Sequence, residues 1–141
     1  MITYDYPKRV RYGETDRMGY LYYGNYAQYY EIGRVEWLRA CGVSYKEMEE
    51  VHNIIMPVVS LQMRYVRPAL YDELLTIRTN LKELPDRFVT FHMEIFNESH
   101  KLVNGGTVRL CFVHTPSGRS VHAPDFLLEK LQPHFEKNQN T

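Results

Sequence analysis

The chain has 141 residues, the length of one domain and enough to bury a substantial core without disulfide or metal staples. Seventeen Lys and Arg balance seventeen Asp and Glu, which argues against a nucleic-acid binder and its clustered basic excess. No apolar run approaches the roughly 20 residues that a membrane span requires, so no integral membrane segment is expected.

Residues 4–12, "YDYPKRVRY", read as a strand whose early Pro7 suits an edge or a strand start. "GETDRMG" then has loop composition. A long helix is predicted over about 25–41. Asn25 is a good N-cap, Gln28 follows at capping-box spacing, and Gly42 closes the element. Tyr26, Tyr30, Gly33, Trp37 and Ala40 recur at helical intervals, and Gly33 would let that aromatic stripe approach a partner surface closely. A short helix follows over 44–51, with "KEMEE" as its solvated face.

The pattern then changes to strands. In 54–69, Val59, Leu61, Met63 and Tyr65 alternate with polar residues; in 73–84, Leu75, Ile77 and Thr79 do so; in 87–98, Val89, Phe91, Met93 and Ile95. Residues 101–115 read as one continuous strand with a bulge at Asn104-Gly105 and a turn before it at "NESH". "APDFLLEKLQPHF" closes the chain with a short amphipathic helix capped by Asp125, and the tail 136–141 is expected to lack order. One strand, one long helix and four consecutive strands make the class α+β, a five-stranded antiparallel sheet wrapped around one long central helix, in a single domain over 1–141.

The N-terminus offers no apolar secretory h-region, and Cys41 and Cys111 each sit in an apolar stretch. The expectation is an intracellular, cytoplasmic protein with two reduced, buried thiols.

Nine of the twelve tyrosines fall in the first thirty residues, and they surround "TDRMGYLYYGNY", which sets Asp16 among aromatic and glycine residues just ahead of the helix. The run "YGETDRMGYLYYGNY" leading into "YYEIGRVEWLR" resembles the hotdog-fold acyl-CoA thioesterases of the 4-hydroxybenzoyl-CoA thioesterase type, including the short-chain branch associated with the Tol-Pal gene cluster. The resemblance covers roughly residues 4–130, with "VRPALYDELLTI" as a supporting segment. It implies a hotdog fold, thioester hydrolysis with Asp16 as the catalytic residue, an acyl-CoA substrate, and an active site built between subunits of a homo-oligomer, a dimer or a tetramer. Many members carry His seven residues after that aspartate; this chain has Tyr23, as some members with aromatic substrates do, which leaves acyl choice open.

The chemistry is also legible residue by residue. A helix starting near Asn25 leaves its first backbone N–H groups unpaired and its positive dipole end exposed. Gly24 has no side chain to keep a thioester carbonyl from those donors, an oxyanion site of the backbone kind. Asp16 could attack as a nucleophile or serve as general base on water. The bland reading of Asp16 is a loop aspartate closing an Asx turn. Tyr22, Tyr23 and Tyr26 are expected mainly in the core, with Tyr23 singled out to line the substrate. Glu31 reads as a helix-surface or ion-paired carboxylate. Arg67, Arg87 and Arg119 are candidates to meet the coenzyme phosphates.

No G-x-S-x-G elbow, P-loop, dinucleotide fingerprint or H-E-x-x-H occurs, so no cofactor is expected. His114 and His122 flank "TPSGRSV" and could face each other across a hairpin, but two histidines without a third ligand are more often structural, and no metal is expected. Three other functions compete with hydrolysis of acyl-CoA: an acyl-carrier-protein thioesterase, an acyl dehydratase on the same fold, and a non-catalytic acyl-CoA sensor. A dehydratase would want His with an acidic partner at the helix start, where Tyr23 and Gly24 stand, and a sensor could dispense with Asp16. One helix cannot cover five long strands, so an oligomer is expected on physical grounds as well.

Overall fold

The computed structural model describes residues 1–139. Alternation builds the sheet. Strand β1 (Ile2–Arg9) lies antiparallel to β4 (Leu74–Leu81) along its whole length, from Ile2 opposite Leu81 to Arg9 opposite Leu74. β4 pairs with β5 (Phe88–Phe96), β5 with β6 (Leu102–His114), and β6 with β3 (Val58–Tyr65), all antiparallel. The main sheet is thus β1-β4-β5-β6-β3, the five expected strands. Two short strands, β2 (Ile54–Ile55) and β7 (Arg119–Val121), flank the far end of β6.

Helix α1 (Tyr26–Ala40) packs on this sheet, chiefly over β1 and β4. Its buried face is Tyr26, Tyr29, Tyr30, Gly33, Arg34, Trp37 and Leu38. The core-facing residues of the sheet are Leu75, Ile77, Thr79 and Leu81 of β4 and Val89, Phe91, Met93 and Ile95 of β5, every second residue, as a half-buried strand requires. Trp37 meets Phe91 edge-on, with ring centroids 5.3 Å apart. Tyr30 donates its hydroxyl proton to Asn104 Oδ1 on β6, a polar tie within the core. Helix α2 (Tyr45–Glu50) is capped by Ser44, whose Oγ accepts from Glu47 N–H at 3.2 Å. Helix α3 (Asp125–Gln139) lays Leu127 and Leu131 into the same core.

β6 is continuous through Asn104-Gly105 as expected. Ile95 opposes Asn104 and Phe96 opposes Leu102, so the bulge falls at Val103. The turn before it is closed by Asn97 Oδ1, which accepts from Ser99 N–H and Lys101 N–H, both at 3.0 Å.

Several expectations need correction. β1 ends at Arg9, because its partner β4 begins at Leu74, and residues Tyr12–Glu14 form a 3-10 turn instead. The predicted strand 54–69 is broken at Met56-Pro57 and stops at Tyr65. Ala40 faces solvent. Asp125 is the first helical residue of α3, not its cap. The tail 136–141, expected to lack order, continues α3 as far as Gln139; the last two residues lie outside the described residues. β7 was not foreseen, and its register sets Arg119 opposite His114, so His122 does not face His114. Among the described residues no helix is long and apolar enough to cross a membrane.

Candidate active site

The segment from Glu14 to Tyr22 is a small hairpin. Thr15 bridges Leu21, Asp16 N–H donates to Tyr20 O at 2.8 Å, and Gly19, at φ +79°, turns the chain so that its N–H meets Asp16 O at 3.0 Å. The hairpin docks on residues 69–71 through Leu21 N–H to Ala69 O at 2.8 Å and Tyr71 N–H to Gly19 O at 3.0 Å.

Asp16 is half-buried at the neck of this hairpin. Its Oδ1 accepts from Met18 N–H at 2.9 Å and Tyr20 N–H at 3.2 Å, so the Asx turn is formed. Oδ2 makes no hydrogen bond among the described residues. The turn therefore fixes the carboxylate and leaves one oxygen open for chemistry. Asp16 lines an open cleft of about 490 Å³ together with Tyr12, Thr15, Arg17, Gly19 and Tyr71, with Tyr12 edge-on to Tyr71 at 5.7 Å.

The helix start differs from the sequence expectation. Asn25 is not an N-cap by its side chain and makes no capping box with Gln28; its backbone is already helical, at φ −87° and ψ −10°. Its Nδ2 reaches back 2.8 Å to Glu14 O, which also accepts Tyr22 N–H at 2.9 Å. The reason is a 3-10 turn, Tyr23–Asn25, that prolongs the helix backward. Asn25 N–H and Tyr26 N–H are consumed by Tyr22 O and Tyr23 O. At the helix start, the backbone N–H groups of Tyr23 and Gly24 have no partner among the described residues. A β-carbon on Gly24 would stand 2.6 Å from the Tyr22 ring, so the space that glycine leaves is filled by Tyr22.

Tyr26 is buried as expected, whereas Tyr22 and Tyr23 are exposed, Tyr23 by 65%. Tyr23 leans on Tyr22 at 4.8 Å and stands edge-on to Tyr65 at 6.3 Å, and Tyr65 Oη donates to Tyr23 O at 3.4 Å. This aromatic patch is continuous with β3, where Val58, Val59 and Leu61 are also exposed.

The three arginines are all exposed and are not brought together within one chain. Arg67 follows β3, its N–H on Val103 O at 3.2 Å, while Arg119 pairs with His114 at the opposite end of β6. Nearly the whole of β6 lies between them, roughly 35 Å at about 3.3 Å per residue. Arg87 sits in the β4–β5 turn, towards the Arg119 end. Glu31 is exposed on α1, one turn before Arg34, and is not part of the cleft around Asp16. Burial lowers the pKa of the Arg34 guanidinium, a pull that Glu31 opposes.

Sequence reasoning overlooked Glu14. Its Oε1 accepts from Arg11 N–H at 2.8 Å, Lys8 Nζ at 2.9 Å and Tyr29 Oη at 2.9 Å. Burial pushes its pKa up, but the bonds from Arg11, Lys8 and Tyr29 outweigh that and hold the carboxyl below its ordinary range. Burial and the Glu14 carboxylate both push the Tyr29 hydroxyl well up, so it stays a donor. The only sequence signal was an acidic residue two places before Asp16.

A family model described as the thioesterase-like superfamily matches residues 10–131. An Aquifex aeolicus protein provisionally named an esterase is 31% identical over 127 residues, covering 90% of this chain and 96% of its own length. An Escherichia coli O6:H1 protein named acyl-CoA thioester hydrolase is 29% identical over 103 residues, 73% of this chain and 76% of its own. The structure of a DHNA-CoA thioesterase from Staphylococcus aureus superposes with a TM-score of 0.82 at 28% identity, covering 99% of this chain and 90% of that one.

Proposed function

The chain belongs to the thioesterase-like superfamily, with the hotdog fold, and from that premise we propose that it hydrolyses an acyl-CoA thioester to a free carboxylic acid and CoA. One observation carries the reading: the open oxygen of Asp16 lies on a hairpin whose other strand leads directly into the unpaired N–H groups of Tyr23 and Gly24. Those two donors, at the positive end of α1, suit a carbonyl oxygen that gains negative charge.

With Asp16 as general base, Oδ2 takes a proton from water while the water oxygen attacks the thioester carbon. The tetrahedral oxyanion is held by the backbone donors, and its collapse expels the CoA thiolate. With Asp16 as nucleophile, Oδ2 attacks the carbon itself, the adduct collapses with loss of the CoA thiolate to a mixed anhydride, and water opens that anhydride to the free acid and restores the carboxylate. A thiolate leaves readily, so one carboxylate and two backbone donors suffice for either route.

Tyr23, exposed beside the donors, would line the acyl group, while Asn25 shapes the turn through Glu14. Arg67, Arg87 and Arg119 are assigned to the coenzyme phosphates, and because they lie at opposite ends of the sheet, a site between subunits would draw them from different copies. Truncating an arginine that meets a phosphate should raise KM for acyl-CoA and spare a short pantetheine thioester; three unchanged alanine variants would remove that assignment.

The test of the function is a hydrolysis screen over short, long and aromatic acyl-CoAs, with the matching acyl-carrier-protein thioesters alongside. Turnover of at least one acyl-CoA, lost in Asp16→Asn, is the expected result. Tight acyl-CoA binding without turnover would overturn it.

A further inference from the structure

Resting on the reading of Asp16 as the catalytic carboxylate, we infer that Glu14 is the positioning residue of the site, setting the distance between that carboxylate and the backbone donors of Tyr23 and Gly24. Two sets of bonds meet at this one residue. The main-chain carbonyl accepts from Tyr22 N–H at 2.9 Å and Asn25 Nδ2 at 2.8 Å. Tyr22 and Asn25 are the residues immediately before and after the Tyr23-Gly24 donor pair, so a single oxygen brackets it.

The side chain binds the same residue to the rest of the fold. A single carboxylate oxygen gathers the backbone N–H of Arg11, just before the Tyr12–Glu14 turn, an ammonium from β1 and a phenol from α1. Lys8 Nζ also lies 4.9 Å from the centre of the Tyr29 ring, so the two donors brace each other. Bonds to an ionised acceptor are the stronger kind, and the lowered pKa keeps this carboxylate charged at neutral pH.

The tip of the hairpin, by contrast, is exposed at Arg17 and Met18. Glu14 lies two residues before Asp16, at the base of that hairpin. Releasing its anchor would let the hairpin rock relative to α1, and a displacement of about 1 Å at a reacting group can cost on the order of 100-fold in rate.

The experiment is steady-state hydrolysis of the acyl-CoA that the wild-type protein turns over fastest, on folded protein well below each melting midpoint. Glu14→Ala, Glu14→Gln, Tyr29→Phe, Asp16→Asn and the double variant Asp16→Asn/Glu14→Ala are compared. Glu14→Ala should lower kcat by about 10–100-fold with KM little changed. Glu14→Gln, which keeps a neutral acceptor, should lie between it and wild type. In the Asp16→Asn background, Glu14→Ala should change kcat by less than about twofold, because a residue that acts through Asp16 has nothing left to position. A Glu14→Ala variant with lower melting but full kcat, or one whose effect persists undiminished in the Asp16→Asn background, overturns the inference. If Glu14→Ala does not fold, the same comparison with Glu14→Gln and Tyr29→Phe decides it. If Asp16→Asn matches wild type, the functional reading fails and takes this inference with it; if Asp16→Asn is inactive and the Glu14 variants are not, only the inference falls.

Discussion

A β-carbon on Gly33 would stand 2.6 Å from Cγ2 of Ile77, nearer than packed carbon atoms approach. Thr79 Oγ1 at 2.8 Å and Met93 Cε at 3.0 Å close the same space. α1 therefore rests on β4 through backbone. Overpacking costs about 1–3 kcal/mol, and alanine recovers about 1 kcal/mol of helix propensity over glycine. Gly33→Ala should be destabilised by about 1 kcal/mol and Gly33→Val by about 2–3 kcal/mol or more, read from urea melts. A Gly33→Val variant as stable as wild type would show that α1 can lift from the sheet without loss.

Asp16→Asn should keep its fold, because the amide oxygen can still accept from Met18 N–H and Tyr20 N–H as Oδ1 does. It can neither attack a carbonyl nor take a proton from water. kcat should fall by about 10²–10⁴-fold, the usual range for a general base, with KM little changed. Glu31→Gln, altered at an exposed position away from the cleft, should be far milder. Turnover within about threefold of wild type in Asp16→Asn, against that range, would reduce the aspartate to a turn residue.

The bonds to the Glu14 carboxylate tie stability to pH. Its folded pKa is lowered from an ordinary 4.5, so its contribution to stability is fully present above that value and is lost as pH falls through the folded pKa. Melting midpoints measured from pH 6 downward should therefore fall more steeply below about pH 4.5 for wild type than for Glu14→Gln, which has no carboxyl to titrate. Parallel curves would mean that Lys8 and Tyr29 gain nothing from the charge.

β3 pairs with β6 along one edge only, and Val58, Val59, Leu61 and Tyr65 are each exposed by 41–54%. An apolar strand with an open edge invites another strand. Light scattering should give at least twice the 16.8 kDa of one chain, and Leu61→Lys should shift the distribution towards monomer with loss of activity. A fully active monomer at micromolar concentration would contradict this.

β5 and β3 read alike on paper, and they show what the sequence could and could not say. Val89, Phe91, Met93 and Ile95 are buried in the core, whereas Val59 and Leu61, in the same alternation, are exposed. Alternation identifies the face that avoids water, not what covers it. Gly33, the C-terminal end of α1 and the continuous β6 are legible because local rules and tertiary packing agree there. Asn25 was misread because its strongest acceptor, Glu14 O, is distant in sequence and invisible to a capping rule. Glu14 itself was missed for the same reason: Lys8, Arg11 and Tyr29 share no periodicity, and only folding brings them to one oxygen. For Asp16 the sequence offers catalysis and turn formation as alternatives, yet the Asx turn uses one oxygen and leaves the other without a hydrogen bond among the described residues.

β2 and β3 have a single pairing partner among the described strands, and that partner is β6, which follows both in the chain. On a ribosome the two emerge with nothing to bond, while β1, β4 and β5 can already zip together beside them. Their backbone edges stay unpaired until Leu102–His114 has cleared the exit tunnel, and nascent sheet edges of this kind are what aggregate or recruit chaperones. Chains stalled before His114 should therefore be held by chaperones, and chains stalled just beyond Val121, with the tunnel length added, should be released.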